Sequence, residues 1–253
     1  MMKPINRKNF LKTMGLAGVT LAAAPVLAHC RSDENTDSSS SESSSGSSSG
    51  SSSTNTCTVT NKETEGPFPT KQPNTLVRSN IVGDRTGIDL SIVITIQNTN
   101  NACAPLEGAL VDIWHCDKDG NYSEYGGTAM QSTNYTSNHF LRGRQTTNSN
   151  GRVNFTSIFP GWYQGRATHI HVHVYKADGT SLLVTQIAFP EGSNSAVVQV
   201  NSATSKGYTK GLSGYTYNAN DNVFGDGTST EMSNITGSVD AGFALTHTIN
   251  VSA

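Results

Sequence analysis

The segment Pro160–Tyr175 reads PGWYQGRATHIHVHVY, in which three histidines alternate with apolar residues. Along a strand, side chains point to opposite faces in turn, so His169, His171 and His173 would share one face. Two imidazoles at i and i+2 can both reach one metal ion, and imidazole suits iron, copper, zinc and nickel alike. The competing account is a polar strand face turned to solvent. The next segment bears on that choice. Asp178-Gly179 is a strong signal for a two-residue hairpin turn, and with those residues as the loop Gln186 stands opposite His171. A polar amide beside two imidazoles needs polar work to do, or solvent; a solvated hairpin face is the competing account.

Such residues need a sheet to hold them. Leu90–Gln97, Ala109–Trp114, Val153–Ile158, His169–Tyr175 and Leu182–Phe189 are short and rich in β-branched side chains. Asn, Asp and Gly clusters separate them, as in a sandwich. No helix-period stretch longer than about two turns follows Cys57, and no internal repeat is present. The expected fold is all-β: a β-sandwich core of mainly antiparallel strands with long functional loops.

Composition narrows the function classes. The chain has 253 residues, 34% hydrophobic and 14% charged, with 17 Lys+Arg against 19 Asp+Glu. A near-neutral balance excludes a basic nucleic-acid binder. No apolar run reaches the ~20 residues of a membrane-spanning helix, and four cysteines are too few for a disulfide-built miniprotein.

Three regions are expected. In residues 1–30, Lys3, Arg7, Lys8 and Lys12 precede the apolar run Met14–Ala28, the pattern of an export signal. Asn6–Lys12 (NRKNFLK) is similar to a twin-arginine signal with Lys8 in place of the second arginine; general secretion is the alternative. Cys30, in L-A-H-C, resembles a bacterial lipoprotein box, with His29 departing from it. The expected location is therefore exported, periplasmic or cell-surface, with a lipid anchor at Cys30. Residues 31–56 are dominated by serine and should form a disordered linker. Residues 57–253 are the globular, catalytic domain. Of Cys57, Cys103 and Cys116, two can pair in an oxidising compartment, and the sequence does not say which two.

Five segments carry a family resemblance: Thr64–Pro69 (TEGPFP), Leu76–Ile81 (LVRSNI), Val111–Tyr122 (VDIWHCDKDGNY), Leu141–Thr147 (LRGRQTT) and Phe155–His171 (FTSIFPGWYQGRATHIH). With them, Cys57 to about Phe189 resembles the intradiol ring-cleavage dioxygenases, non-haem ferric enzymes that split catechols. It looks most like their exported, single-domain branch, and the tail after Gly192 matches more loosely. The resemblance implies a non-haem Fe(III) held by Tyr122, Tyr163, His169 and His171, with Tyr122 preferred over nearby Tyr125. It implies Tyr163 as acceptor of a substrate proton, Arg166 as a fixed positive charge near the ring, and Gln186 as its catalytic neighbour. Hard phenolate oxygens suit ferric iron, and a bound cation can displace their protons. The implied reaction takes a small aromatic diol and O2 to a cis,cis-muconate-type diacid. No nucleic-acid partner is implied, and the membrane enters only through the anchor. Ring substituents and oligomeric state stay open.

Some residues stand outside the pattern. His173 is an additional histidine on the expected ligand face. Asn148 stands where an Asp often follows, at a turn. Asp117-x-Asp119-Gly120 lacks the remaining positions of a calcium loop and reads as a turn. Two alternatives remain: a non-catalytic β-sandwich binding module, and a His-site zinc or copper protein. A binding module has no need of the Arg166 and Gln186 set, and the tyrosine pair suits ferric iron better than zinc or copper.

Overall fold

The computed structural model describes residues 57–253. The expected export signal of residues 1–30, lipidation at Cys30 and the linker of residues 31–56 lie outside the described residues. In chain order the described elements are β1 (Asp89–Asn98), β2 (Ala104–Pro105), β3 (Leu110–Trp114), β4 (Arg142–Thr146), β5 (Arg152–Ile158), β6 (His169–Tyr175), β7 (Ser181–Ala188), α1 (Ala196–Asn201), β8 (Asn234–Ser238) and β9 (Gly242–Val251), with short 3-10 turns between. The fold is all-β, as expected.

Alternation builds these strands. In β1, Leu90, Ile92, Ile94 and Ile96 are buried, while Ser91, Val93 and Thr95 point the other way. Each fully buried isoleucine contributes roughly 1.5–3 kcal/mol. β5 and β2 share one edge of β1, both antiparallel; β9 runs parallel along its other edge, and β8 completes this sheet. The second sheet has the order β4-β3-β6-β7 and is antiparallel throughout. Ile92 and Ile94 of one sheet join Val111, Ile113, Val172 and Val174 of the other in a single buried cluster.

Four strands lie outside those expected from the sequence: the two-residue β2, and β4, β8 and β9. β4 carries two charged residues, Arg142 and Arg144. Both are buried, because Arg144 Nη2 donates to Asp112 Oδ2 at 2.7 Å and Arg142 donates to Ser123 and to the Phe68 carbonyl. β8 and β9 lie beyond Phe189, where the expected strands end. β9 nevertheless shows the same alternation, with Phe243, Leu245, His247, Ile249 and Val251 buried.

The β6–β7 hairpin keeps the expected pairing by a different route. Lys176 N–H donates to the Thr180 carbonyl at 2.8 Å, so the loop is Ala177-Asp178-Gly179, three residues rather than two. Gly179 takes the left-handed conformation this loop needs, at φ 88°. Leu182 is then an extra residue in β7, since Ser181 faces Tyr175 and Leu183 faces Val174. The two insertions compensate, and His171 stands opposite Gln186.

Cys57 and Cys103 form the disulfide, and Cys116 is free and buried. Asp117 Oδ1 accepts the N–H groups of Asp119 and Asn121, closing the expected turn. Among the described residues, no helix is long and apolar enough to cross a membrane.

Candidate metal centre

Strand β6 is buried on both faces. Ile170, Val172 and Val174 enter the core, and the opposite face carries the histidines. His169 Nε2 and His171 Nε2 lie 3.0 Å apart, and the Tyr122 hydroxyl is 3.2 Å from each. Three donor atoms thus form a triangle little larger than one water molecule. His169 Nδ1 donates to the Ala167 carbonyl at 2.7 Å, which leaves its Nε2 lone pair facing the triangle. Burial, with the nearby Arg166 charge, holds the His169 pKa down to about 3. Burial, the neighbouring His169 and Arg166 hold His171 well below the ordinary histidine range. Both rings are therefore neutral, the form that ligates metals. Burial pushes the Tyr122 phenol well above its ordinary range, a shift that a cation in the triangle would reverse.

The surroundings fix these three rings. Trp114 stacks on His171 with centroids 4.9 Å apart and planes 1° from parallel. Phe68 stacks on Tyr122 at 4.9 Å. Gln131 latches the Tyr122 backbone from both sides, accepting its N–H at 2.7 Å and donating to its carbonyl at 2.8 Å. Gly66, at φ 68°, passes so close that a Cβ there would lie 3.1 Å from His171 Cε1.

The other expected residues occupy distinct places. Tyr125 turns away and donates its hydroxyl to the Pro69 carbonyl at 2.7 Å. Tyr163 differs from the expected four-ligand set. Its ring centroid is 6.0 Å from that of Tyr122, but its hydroxyl donates to the Met130 carbonyl at 2.8 Å instead of joining the triangle. Partial burial raises its pKa, and the backbone carbonyl accepts its proton in a hydrogen bond. His173, expected on the same face, is engaged elsewhere: Nε2 with Ser181 Oγ at 2.8 Å, and Nδ1 with the Tyr175 hydroxyl at 2.8 Å and Glu65 at 2.9 Å.

Arg166 Nη2 donates to Gln186 Oε1 at 2.6 Å, and Gln186 Nε2 donates to the Thr64 carbonyl at 2.8 Å. Gln186 is wholly buried. Asp221, which sequence reasoning did not single out, accepts from Arg166 Nε and from the Ala167 N–H. It therefore braces both the guanidinium and the residue whose carbonyl orients His169. Gln131, Met130 and Trp114 were likewise not singled out. Only Trp114, inside the VDIW segment, carried a motif signal.

The donor set fits a metal ion. Two neutral imidazoles and a phenol oxygen lie within 3.2 Å of one another, a crowding of lone pairs that a cation would relieve.

The chain is similar to known proteins in sequence and in fold. The family model described as "Dioxygenase" matches residues 65–222, a span that reaches past Phe189 and includes Asp221. The chlorocatechol 1,2-dioxygenase of Rhodococcus opacus is 29% identical in an alignment of 157 positions that covers 51% of this chain and 56% of that protein, so the chain spans little more than half the length of this curated relative. An intradiol ring-cleavage dioxygenase from Tetranychus urticae is 31% identical, with a TM-score of 0.66 over 77% of this chain and 95% of that one. The dioxygenase domain of a dioxygenase–carbohydrate-binding protein fusion from Streptomyces sp. SirexAA-E is 25% identical, with a TM-score of 0.53 over 76% and 97%.

Proposed function

This chain belongs to the intradiol ring-cleavage dioxygenase family, and from that premise we propose that it cleaves a catechol-type aromatic diol between its two hydroxylated carbons, inserting both atoms of O2 to give a cis,cis-muconate-type diacid. The observation that carries this reading is the triangle of Tyr122 Oη, His169 Nε2 and His171 Nε2. These three residues would hold a non-haem Fe(III), whose chemistry is to chelate the diol and draw electron density from its ring.

The chain's own groups supply the rest. Arg166, pinned by Asp221 and Gln186, offers a positive charge that needs no reorganisation as negative charge develops on the substrate. Phe68 and Trp114 wall the triangle with aromatic surface that excludes water. Tyr163 stands one ring away with its proton held on the Met130 carbonyl, placed to exchange a proton with a bound diol. The apolar segment before Cys30 supports an exported, lipid-anchored location for this activity.

The test is the visible spectrum of the iron-loaded full chain, before and after catechol is added without oxygen. A red tyrosinate-to-iron band that moves to longer wavelength supports the reading. A colourless protein with iron shown to be bound overturns it.

A further inference from the structure

Away from the triangle, one oxygen from each of Glu63, Asp226 and Glu231 lies within 4.8 Å of the others. The three come from two stretches of chain far apart in sequence. Glu63 is fastened beside β7 by its N–H to the Val184 carbonyl. Asp226 and Glu231 belong to the segment before β8. Among the described residues, no lysine or arginine forms an ion pair with any of them, and Arg166, whose field reaches Glu63, is itself paired with Asp221.

A second observation concerns Glu231 alone. Its side chain is wholly buried, 0% exposed, and its Oε2 meets no hydrogen-bond donor. Its other oxygen has only a long 3.4 Å contact from Thr185 Oγ1. A buried carboxylate left without a partner is costly unless a cation or a proton satisfies it. Burial and the neighbouring carboxylates push Glu63 up to about 7 and Glu231 up to about 8.

We propose that Glu63, Asp226 and Glu231 bind a hard divalent cation, calcium in preference to magnesium or zinc. The cluster offers oxygen and no nitrogen or sulfur ligand, which disfavours zinc and copper. Carboxylates from independent segments give an irregular cage, which suits calcium's flexible coordination better than magnesium's strict octahedron. Asp226 is exposed, leaving room for water to complete the shell. The ion would tie the Asn61–Glu63 stretch to the Asp226–Glu231 segment. Asn61 Nδ2 already donates to Asp226 Oδ2 at 3.1 Å across the same junction. Thr64 and Thr185 flank the cluster, one supplying the carbonyl that holds Gln186 and the other preceding it in β7. A loaded site would therefore stiffen one wall of the metal centre.

The test is equilibrium dialysis of the iron-loaded full chain against radioactive calcium at neutral pH, paired with thermal melting. One equivalent should bind with half-saturation at or below ~1 mM and raise the melting temperature. Glu231→Gln and the exposed-site variant Asp226→Asn should each weaken binding at least ~10-fold. The proposal is overturned by no saturable uptake at about 5 mM calcium, by undiminished uptake in Asp226→Asn, or by tighter binding of magnesium. It is also overturned if acidification from about pH 8 to about pH 5 stabilises the protein while calcium does not, because a shared proton would then satisfy Glu231.

Discussion

Arg166 and Asp221 are 55 residues apart in the chain, yet Arg166 Nε donates to both carboxylate oxygens of Asp221, each at 2.9 Å. The guanidinium is thereby held in one plane, with Nη2 left to reach Gln186. A buried charge pair of this kind is weak evidence for stability but strong evidence for position.

Asp221→Asn keeps the shape and removes the charge that holds Arg166. We expect kcat/KM to fall about 10–100-fold, mostly in kcat, with the red iron band retained. Steady-state kinetics and the visible spectrum of one preparation check this; an unchanged kcat would sink the positioning role.

Tyr122→Phe deletes one corner of the triangle while preserving the stack on Phe68. Activity should fall by more than the ~100-fold typical of an outer-shell partner, and the red band should fade. Iron analysis beside the spectrum separates loss of colour from loss of metal.

Gly66→Ala places a methyl group 3.1 Å from His171 Cε1 on backbone at φ 68°. A non-glycine residue there costs about 1 kcal/mol, and His171 must also shift. The expected outcome is a lower melting temperature together with reduced iron per chain. Full iron content would show that His171 moves freely.

Two buried histidines outside the triangle oppose acid, against Glu63 and Glu231, whose raised pKa values of about 7 and about 8 favour the folded state as pH falls. Burial lowers His115 and His247 from 6.5 to about 4. The folded state favours neutral rings, so the unfolded chain binds more protons between those values. Their contribution is present above about pH 6.5 and is lost as pH falls towards about 4, at roughly 1.4 kcal/mol per pH unit for each ring. Urea unfolding of the unaltered chain and of His247→Gln across that window checks this: the difference between the two slopes should equal one ring's contribution.

Reducing the Cys57–Cys103 disulfide opens a loop of sequence separation 46. The chain-entropy estimate gives about 4 kcal/mol of lost stability. A paired Cys57→Ser, Cys103→Ser variant should unfold at correspondingly lower urea. The Cys116 thiol, buried and pushed up in pKa, should stay unreactive in both proteins.

The sequence was most legible where chemistry and periodicity coincide. β6 runs from His169 to Tyr175 as expected, because alternating histidine and branched aliphatic residues allow one reading. The pairing of His171 with Gln186 was also legible, although a longer loop and the extra Leu182 reach it jointly. Long-range partners were not. Nothing local in Asp221 announces that it braces Arg166, and nothing in Met130 announces that its carbonyl holds Tyr163. β4 was not among the expected strands, because nothing local shows that its arginines are buried against Asp112 and Ser123.

The place of β9 has a consequence for biosynthesis. It is the last of the described strands in chain order, yet it lies inside its sheet, flanked by β1 and β8. From Leu90 to Asn98, β1 pairs with it in register from Phe243 to Val251. While the polypeptide emerges from the ribosome, that edge of β1 stays open until Gly242–Val251 has been made, so this sheet cannot close before that stretch is out. Frameshifts or premature stops just before Phe243 would not trim an end. They would remove the middle of a sheet and release a chain with a long unpaired edge, a substrate for quality-control proteases.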